Sequence, residues 1–337
     1  MNPEILNHFF KCGDAFSFPL TRWAVICVAI LLAVTPGIVA VMSASGKLGE
    51  ATRNDIMVRW KSWIWLVLIL FAPILLGAAW VMLGVMLLSL ACYREFARAT
   101  GVFHERWISI AVVFGILLVT FAVVDNYERL FFAAAPLTVG LITVITIPQD
   151  RPSGYLQRVA LGALGFLLFG YSFGYLGLMT ESPKFREYLI LILLGVELND
   201  IFAYCTGRLF GKRRLLPNTS PGKTLGGALG ALVLTTSLVV VLGRYLVFPG
   251  TPMAEWGWLL LLGAGMSVFG QLGDLLMSSI KRDLRVKDLG ASIPGHGGLL
   301  DRFDSLVLVP PAFYHLLSLV LGPLGANSGL ERIFTGP

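Results

Sequence analysis

Stretches almost free of charge recur at positions 23–44, 62–76, 79–93, 107–123, 129–147, 157–178, 188–207, 225–247, 256–280 and 304–322, with short polar segments between them. A helix needs about 17 to 25 mainly apolar residues to cross a hydrocarbon core of ~30 Å, and most of these runs are long enough. The second and third are short. Joined, they form one stretch too long for a single upright span, and Pro73 and Gly77 stand where a hairpin would break it. The pattern predicts an all-α integral membrane protein, a polytopic bundle of about ten transmembrane helices. It shows no soluble domain, heptad array, low-complexity tract or internal repeat.

Composition agrees. Of 337 residues, 56% are hydrophobic and 14% charged, where a soluble domain carries about 25% charged residues; the mean hydropathy is +0.78. The net charge of +6 comes from Lys and Arg gathered in a few loops, as topology determinants are, so no nucleic-acid partner is expected. If 208–224 is cytoplasmic, alternation puts 94–106, 148–156 and 281–303 on the same side, and 248–255, which lacks Lys and Arg, on the other. The loop 46–61, with Lys47, Arg53, Arg59 and Lys61, joins the cytoplasmic set only if 62–93 crosses twice, which gives ten helices and both termini outside the cytoplasm. The first run follows a mixed segment and has the length of a full span, so it reads as a retained anchor rather than a cleaved signal. Cys12, Cys27, Cys92 and Cys205 show no CxxC spacing, which indicates neither a disulfide framework nor a zinc site.

Three acids fall inside predicted helices: Glu197 and Asp200 in VELNDIFAY, and Asp274 in GQLGDLLMSS. A carboxylate near the bilayer centre costs about 2.5 to 3.5 kcal/mol on insertion scales and marks a functional site by default. The competing explanation is a structural interhelical pair or a carboxylate snorkelling at a helix end. On helices, Glu197, Asp200, Tyr204 and Gly207 share one face, and Asp274, Ser278, Lys281 and Arg285 share another. Both stripes run into loops rich in Lys and Arg. Carboxylates rimmed by cations suit a divalent metal with a polyphosphate, because hard oxygens hold Mg²⁺ and cations neutralise phosphate.

The loop after the first stripe, GRLFGKRRLLPNTSPGKTLGG, ends in Gly222, Lys223 and Thr224. A Walker A loop needs glycine where Pro217 stands, and no strand-to-helix context is expected, so a P-loop is rejected. Two readings stay open. Ser220, Lys223 and Thr224 present a hydroxyl, an ammonium and free N–H groups to phosphate at a helix start, or the segment is a Ser-Pro cap with a topogenic lysine.

The segment from Ser278 to Asp304 places nine charged residues and a Gly-His-Gly-Gly turn in 27 positions. Gly295, Gly297 and Gly298 leave backbone amides open around His296, which suits contact with phosphate more than general-base work. Asp301 and Asp304 are expected to share a face at the start of the last helix, where Asp301 can complete a metal site with Asp274.

These residues resemble the phosphatidate cytidylyltransferases, or CDP-diacylglycerol synthases. The signature of that family is matched without a gap at Ser278, Ile280, Lys281, Arg282, Lys287, Asp288, Gly290, Ile293, Pro294, His296, Gly297, Gly298, Leu299, Asp301, Arg302, Phe303 and Asp304. Upstream, NDIFAYCTGRLFGK and SPGKT are similar to further family elements; the likeness is fainter from Arg59 to Glu95 and absent from the first 58 residues. The chain therefore divides into an extra N-terminal segment, 1–58, with one transmembrane helix, and a synthase-like domain, 59–337. The resemblance implies transfer of the cytidylyl group of CTP to phosphatidate with release of pyrophosphate, in a cavity facing the cytoplasm from the inner membrane. It implies Mg²⁺ on Asp274 and Asp301, with a second cation and a homodimer left open. Asp274, Asp301, Lys281 and Asp288 are the implied catalytic residues. Ser220, Lys223, Thr224, Ser278, Arg282, Lys287, His296, Gly297, Gly298, Arg302, Asp200 and Tyr204 are implied to bind substrate. One departure stands out. The family has Ser-Pro-Lys-Lys-Thr-Trp-Glu-Gly where this chain has Gly222, Leu225 and Gly226 at the lysine, tryptophan and glutamate positions, which points to a divergent paralogue. A CTP-dependent lipid kinase and a non-catalytic, transporter-like protein are the competing functions; the missing inverted repeat and the phosphate-suited loop count against the second.

Overall fold

The structure, a computed structural model, describes residues 9–10, 13–290, 292, 297–324 and 332–336. Its helices are α1 (Pro19–Ala44), α2 (Glu50–Leu76), α3 (Ala78–Thr100), α4 (Arg106–Val124), α5 (Glu128–Gln149), α6 (Tyr155–Glu181), α7 (Phe185–Phe210), α8 (Leu225–Val247), α9 (Trp256–Asp283) and α10 (Val309–Leu321). Among the described residues the first nine are long and apolar enough to cross a membrane, and α10, with 13 residues, is a shorter apolar helix. The protein is an all-α, multi-pass membrane protein. Among the described residues its one sheet is an antiparallel hairpin of β1 (Arg214–Leu216) and β2 (Ser220–Thr224).

The chain breaks between α2 and α3 where expected. Gly77 has φ +130°, and a Cβ there would lie 2.5 Å from the Phe9 carbonyl oxygen, so only glycine fits. Elsewhere helices outrun the greasy residues. α2 starts at Glu50 and takes in most of the predicted loop 46–61, with Asp55 and Arg59 paired at 3.1 Å one turn apart. α3 continues through Arg94 and Arg98 to a left-handed Gly101, because Lys, Arg and Glu are good helix formers and glycine supplies the stop. α9 ends at Asp283, so Arg285, with φ +57°, lies past the helix and off the predicted stripe. Asp301 and Asp304 also precede the last helix instead of opening it. Pro310 and Pro311 lack an N–H and fit only a first turn, which sets the start of α10 at Val309.

α8 packs most closely on α7 and α9. Asn199 fastens these three helices: its Oδ1 accepts from Thr235 Oγ at 3.1 Å and from Ser267 Oγ at 2.6 Å, all buried. Two buried hydroxyls converging on one amide oxygen inside an apolar bundle fix rotation and axial register where dispersion alone would allow sliding. That register sets the acids of α7 beside those of α9.

Candidate functional site

Two α7 carboxylates and Tyr204 line a cavity of about 340 Å³ whose other walls are Trp63, Leu66 and Leu70 of α2 and the turn from Asp301 to Ser305. Glu197, Asp200 and Tyr204 thus share a face, as their spacing predicts. Ser305 Oγ donates to Asp200 Oδ2 at 2.9 Å and orients it.

The stripe on α9 meets the same region from the other side. Ser278 Oγ donates to Asp274 Oδ1 at 3.2 Å, and the Lys223 ammonium, from β2, pairs with the second oxygen of Asp274. Lys281 Nζ donates to Asp301 Oδ1 at 3.1 Å and to Asp304 Oδ2 at 3.4 Å. Burial, with the Asp274 charge nearby, raises the Asp304 carboxyl above the usual carboxylate range against the pull of Lys281. Arg282 Nε donates to Thr219 O at 3.3 Å and pins the hairpin turn to α9.

The hairpin revises one expectation. A strand, β2, does lead directly into α8, so strand-to-helix context is present; Pro217 still occupies the place of the first Walker glycine, and β2 pairs antiparallel with β1. Thr224 serves as the helix cap, its Oγ accepting from Gly227 N at 3.1 Å. Ser220 opens β2, with its side chain partly buried.

Asp301 is nearly buried, and its Oδ2 accepts from the backbone N–H of Leu289 at 3.1 Å and of Gly298 at 3.0 Å. It ties the glycine loop to the segment after α9. Gly297 lies between the carboxylates of Asp288 and Asp301, each 3.3 to 3.4 Å from where its Cβ would be. Lys287 and Asp288 are exposed, and Arg302 lines the cavity. His296 lies outside the described residues.

Sequence reasoning missed Glu95. This buried α3 carboxylate accepts from Leu299 N at 3.0 Å, from Leu300 N at 2.8 Å and from Ser292 Oγ, and so holds both ends of the described loop. Its only sequence signal is a carboxylate between Arg94 and Arg98, which reads as rim charge. Trp63, a cavity wall, and Ser305, the Asp200 partner, also escaped notice.

The donor set suits a hard cation. Glu197, Asp200, Asp274, Asp301 and Asp304 outnumber Lys223, Lys281 and Arg302, and carboxylate oxygens are Mg²⁺ ligands. Among the described residues no three His, Cys, Asp or Glu side chains converge on one point. Asp274 and Asp301 are each held by a different lysine, so both ammonium groups stand where neutralising cations are needed.

The sequence is similar to known proteins over most of its length. A family model described as the cytidylyltransferase family matches residues 57–320. The chain is 32% identical over 279 residues to an Escherichia coli protein named uncharacterized protein YnbB, covering 80% of this chain and 90% of that one. It is 33% identical over 259 residues to a phosphatidate cytidylyltransferase of Staphylococcus haemolyticus, covering 74% and 95%. Over 164 residues it is 42% identical to the phosphatidate cytidylyltransferase of Bacillus subtilis, covering 48% and 60%.

Proposed function

Because the chain belongs to the cytidylyltransferase family, we propose that it transfers the cytidylyl group of CTP to phosphatidate, yielding CDP-diacylglycerol and pyrophosphate. The observation that carries this is the juxtaposition of Asp200, Asp274, Asp301 and Asp304 with Lys223, Lys281 and Arg302 at one end of an apolar bundle. There a polyphosphate can meet a membrane lipid. A phosphate oxygen of the lipid attacks the α-phosphorus of CTP, a new P–O bond forms, and the bond to the β-phosphate breaks. The attacking group is already anionic, so no dedicated base is required.

Lys223, Lys281, Arg282, Lys287 and Arg302 neutralise and orient phosphates. Asp274 and Asp301 are the residues that would hold Mg²⁺, which when bound neutralises charge on the transferring and leaving phosphates. Ser278 and Ser305 orient Asp274 and Asp200. Lys212, Arg213, Arg214, Arg282, Arg285 and Lys287 lie at or just after the C-terminal ends of α7 and α9, which Arg282 joins through Thr219, and this supports a cytoplasm-facing site in the inner membrane.

Purified protein incubated with labelled CTP, Mg²⁺ and phosphatidate should yield lipid-linked cytidine nucleotide and one pyrophosphate per turnover. Release of CDP with a phosphorylated lipid would establish a kinase instead.

The hairpin departure favours one further reading, a changed acceptor lipid. A Cβ at Gly222 meets open space, whereas one at Gly226 would lie 2.8 Å from Phe210 O. The glutamate of the family pattern therefore cannot be restored at Gly226 without moving α7, but a lysine at Gly222 can. Gly222→Lys should fold normally and lower KM for CTP or lipid about tenfold, as a charge-assisted phosphate contact worth roughly 1.5 to 3 kcal/mol would. Gly226→Glu should lower the melting temperature. Unchanged constants in Gly222→Lys would place the hairpin away from substrate and leave phosphatidate as the acceptor.

A further inference from the structure

Two glycines one turn apart on α9 face the turn that carries Asp304 and Ser305, and their surroundings differ. At Gly273 a Cβ would lie 2.7 Å from Asp304 O, so the main chain of the turn itself takes the place of a side chain. At Gly270 a Cβ would make only ordinary contacts, the nearest at 3.7 Å. Glycine inside a helix costs stability relative to alanine, and crowding does not account for it here. What borders this notch is polar: Asn199 Nδ2 lies 3.7 Å and Ser305 O 3.8 Å from the Cβ position, with Val309 at 3.9 Å.

The orientation of the Asn199 amide follows from its neighbours. Gln271 Nε2 donates to Ala228 O at 3.3 Å, a group that can only accept, and to Ser267 Oγ at 3.0 Å. Ser267 therefore turns its own proton to Asn199 Oδ1, 2.6 Å away, and Thr235 donates to the same oxygen. That leaves Nδ2 on the side of Gly270 and beside the Asp200 carboxylate. The side chain is fully buried, and among the described residues Nδ2 makes no hydrogen bond of good geometry. Across the notch the buried Ser305 carbonyl receives no backbone amide among the described residues: Val309 N turns to Leu306 O instead, and Pro310 has no N–H to give. A buried donor and a buried acceptor each carry a desolvation cost when unpaired, and one water answers both. Building on the proposed activity, we propose that the Gly270 notch seats a water that accepts from Asn199 Nδ2 and donates to Ser305 O, which makes Asn199 a positioning residue for the acid cavity. Ser305 Oγ holds Asp200 and the Ser305 amide holds Asp304, so the bridge ties both carboxylates to the hydroxyls and amides between α7, α8 and α9.

Gly270→Ala and Gly270→Ser separate the water from the space it occupies. Alanine displaces it and offers no polar group, whereas the serine hydroxyl can accept from Asn199 and donate to Ser305 in its place. With labelled CTP and phosphatidate, kcat of Gly270→Ala should fall about tenfold with KM for either substrate within about twofold, and Gly270→Ser should restore most of the loss. The serine variant should also melt at the higher temperature, the reverse of the order of the two residues as helix formers. Equal kcat in the two variants, or the alanine variant melting higher, would overturn the proposal. A third readout needs no turnover: in protein carrying isotope-labelled asparagine, the Asn199 side-chain amide should show magnetic cross-relaxation with a long-lived water, lost in Gly270→Ala. No such signal in the natural protein would likewise overturn it. If the natural protein made no lipid-linked nucleotide while the amide–water signal and the melting order held, the proposed reaction would fail and the water site would stand.

Discussion

Asp274→Asn and Asp301→Asn should each reduce turnover by on the order of 10² to 10³, the range for losing one preorganised electrostatic stabiliser, while the protein still inserts and purifies. An amide oxygen is a weaker hard-cation ligand and carries no charge. The two variants should differ in stability. Among the described residues Asp274 contacts only side chains, Lys223 and Ser278, whereas Asp301 also accepts two backbone N–H groups, so Asp301→Asn should melt at the lower temperature. A structural ion pair is the competing account of Asp274, and Lys223→Met with Asp274→Asn separates the two. Removing both members of a part-buried pair is often near neutral for stability. If the double variant also regained turnover, Asp274 would be a structural partner of Lys223 and the site would have to be moved.

Glu95→Ala should be nearly as damaging, although its carboxylate faces the loop and not the acid cavity. The substitution leaves the amides of Leu299 and Leu300 without acceptors, at about 1 to 3 kcal/mol for each buried donor. The glycine loop then loses its anchor on α3, and turnover should fall about a hundredfold. Hydrogen exchange reads the cause: the two amides should lose protection while the core of α7 to α9 keeps its own. Glu95→Gln retains one acceptor oxygen and should fall between. Full activity with unprotected amides would show that chemistry does not need an ordered loop.

Both outcomes bear on what the chain discloses before folding. The long apolar runs were legible because span length and hydropathy are written locally in the residues. Helix ends were not. From Glu50 to Lys61, and again from Arg94 to Thr100, helix continues where hydropathy has stopped, since hydropathy reports only the part in contact with lipid. The three-residue strand β1 is too short to leave a periodic trace. Asp200, Asp274 and Asp301 were legible because a carboxylate in or beside an apolar run is costly and conspicuous. Glu95 was not, because its partners are main-chain amides some 200 residues away, and an amide looks the same at every position. The pairing of Asp274 with Lys223 also lay beyond reach, since it depends on a hairpin the pattern did not show.

The paired lysines have a consequence for biogenesis. A bundle that waited for a divalent ion to balance its carboxylates would have to leave the insertion machinery with uncompensated acids in or beside its apolar helices, at a few kcal/mol each. Here the counter-charges are encoded in the polypeptide: Lys223 arrives on the segment just before α8, and Lys281 lies two turns after Asp274 on the same helix. Once α9 and the segment before α10 are in place, Asp274, Asp301 and Asp304 each have a lysine partner from within the chain. Newly made protein thus carries fewer uncompensated acids through insertion, before any metal or nucleotide binds, than its count of carboxylates would suggest.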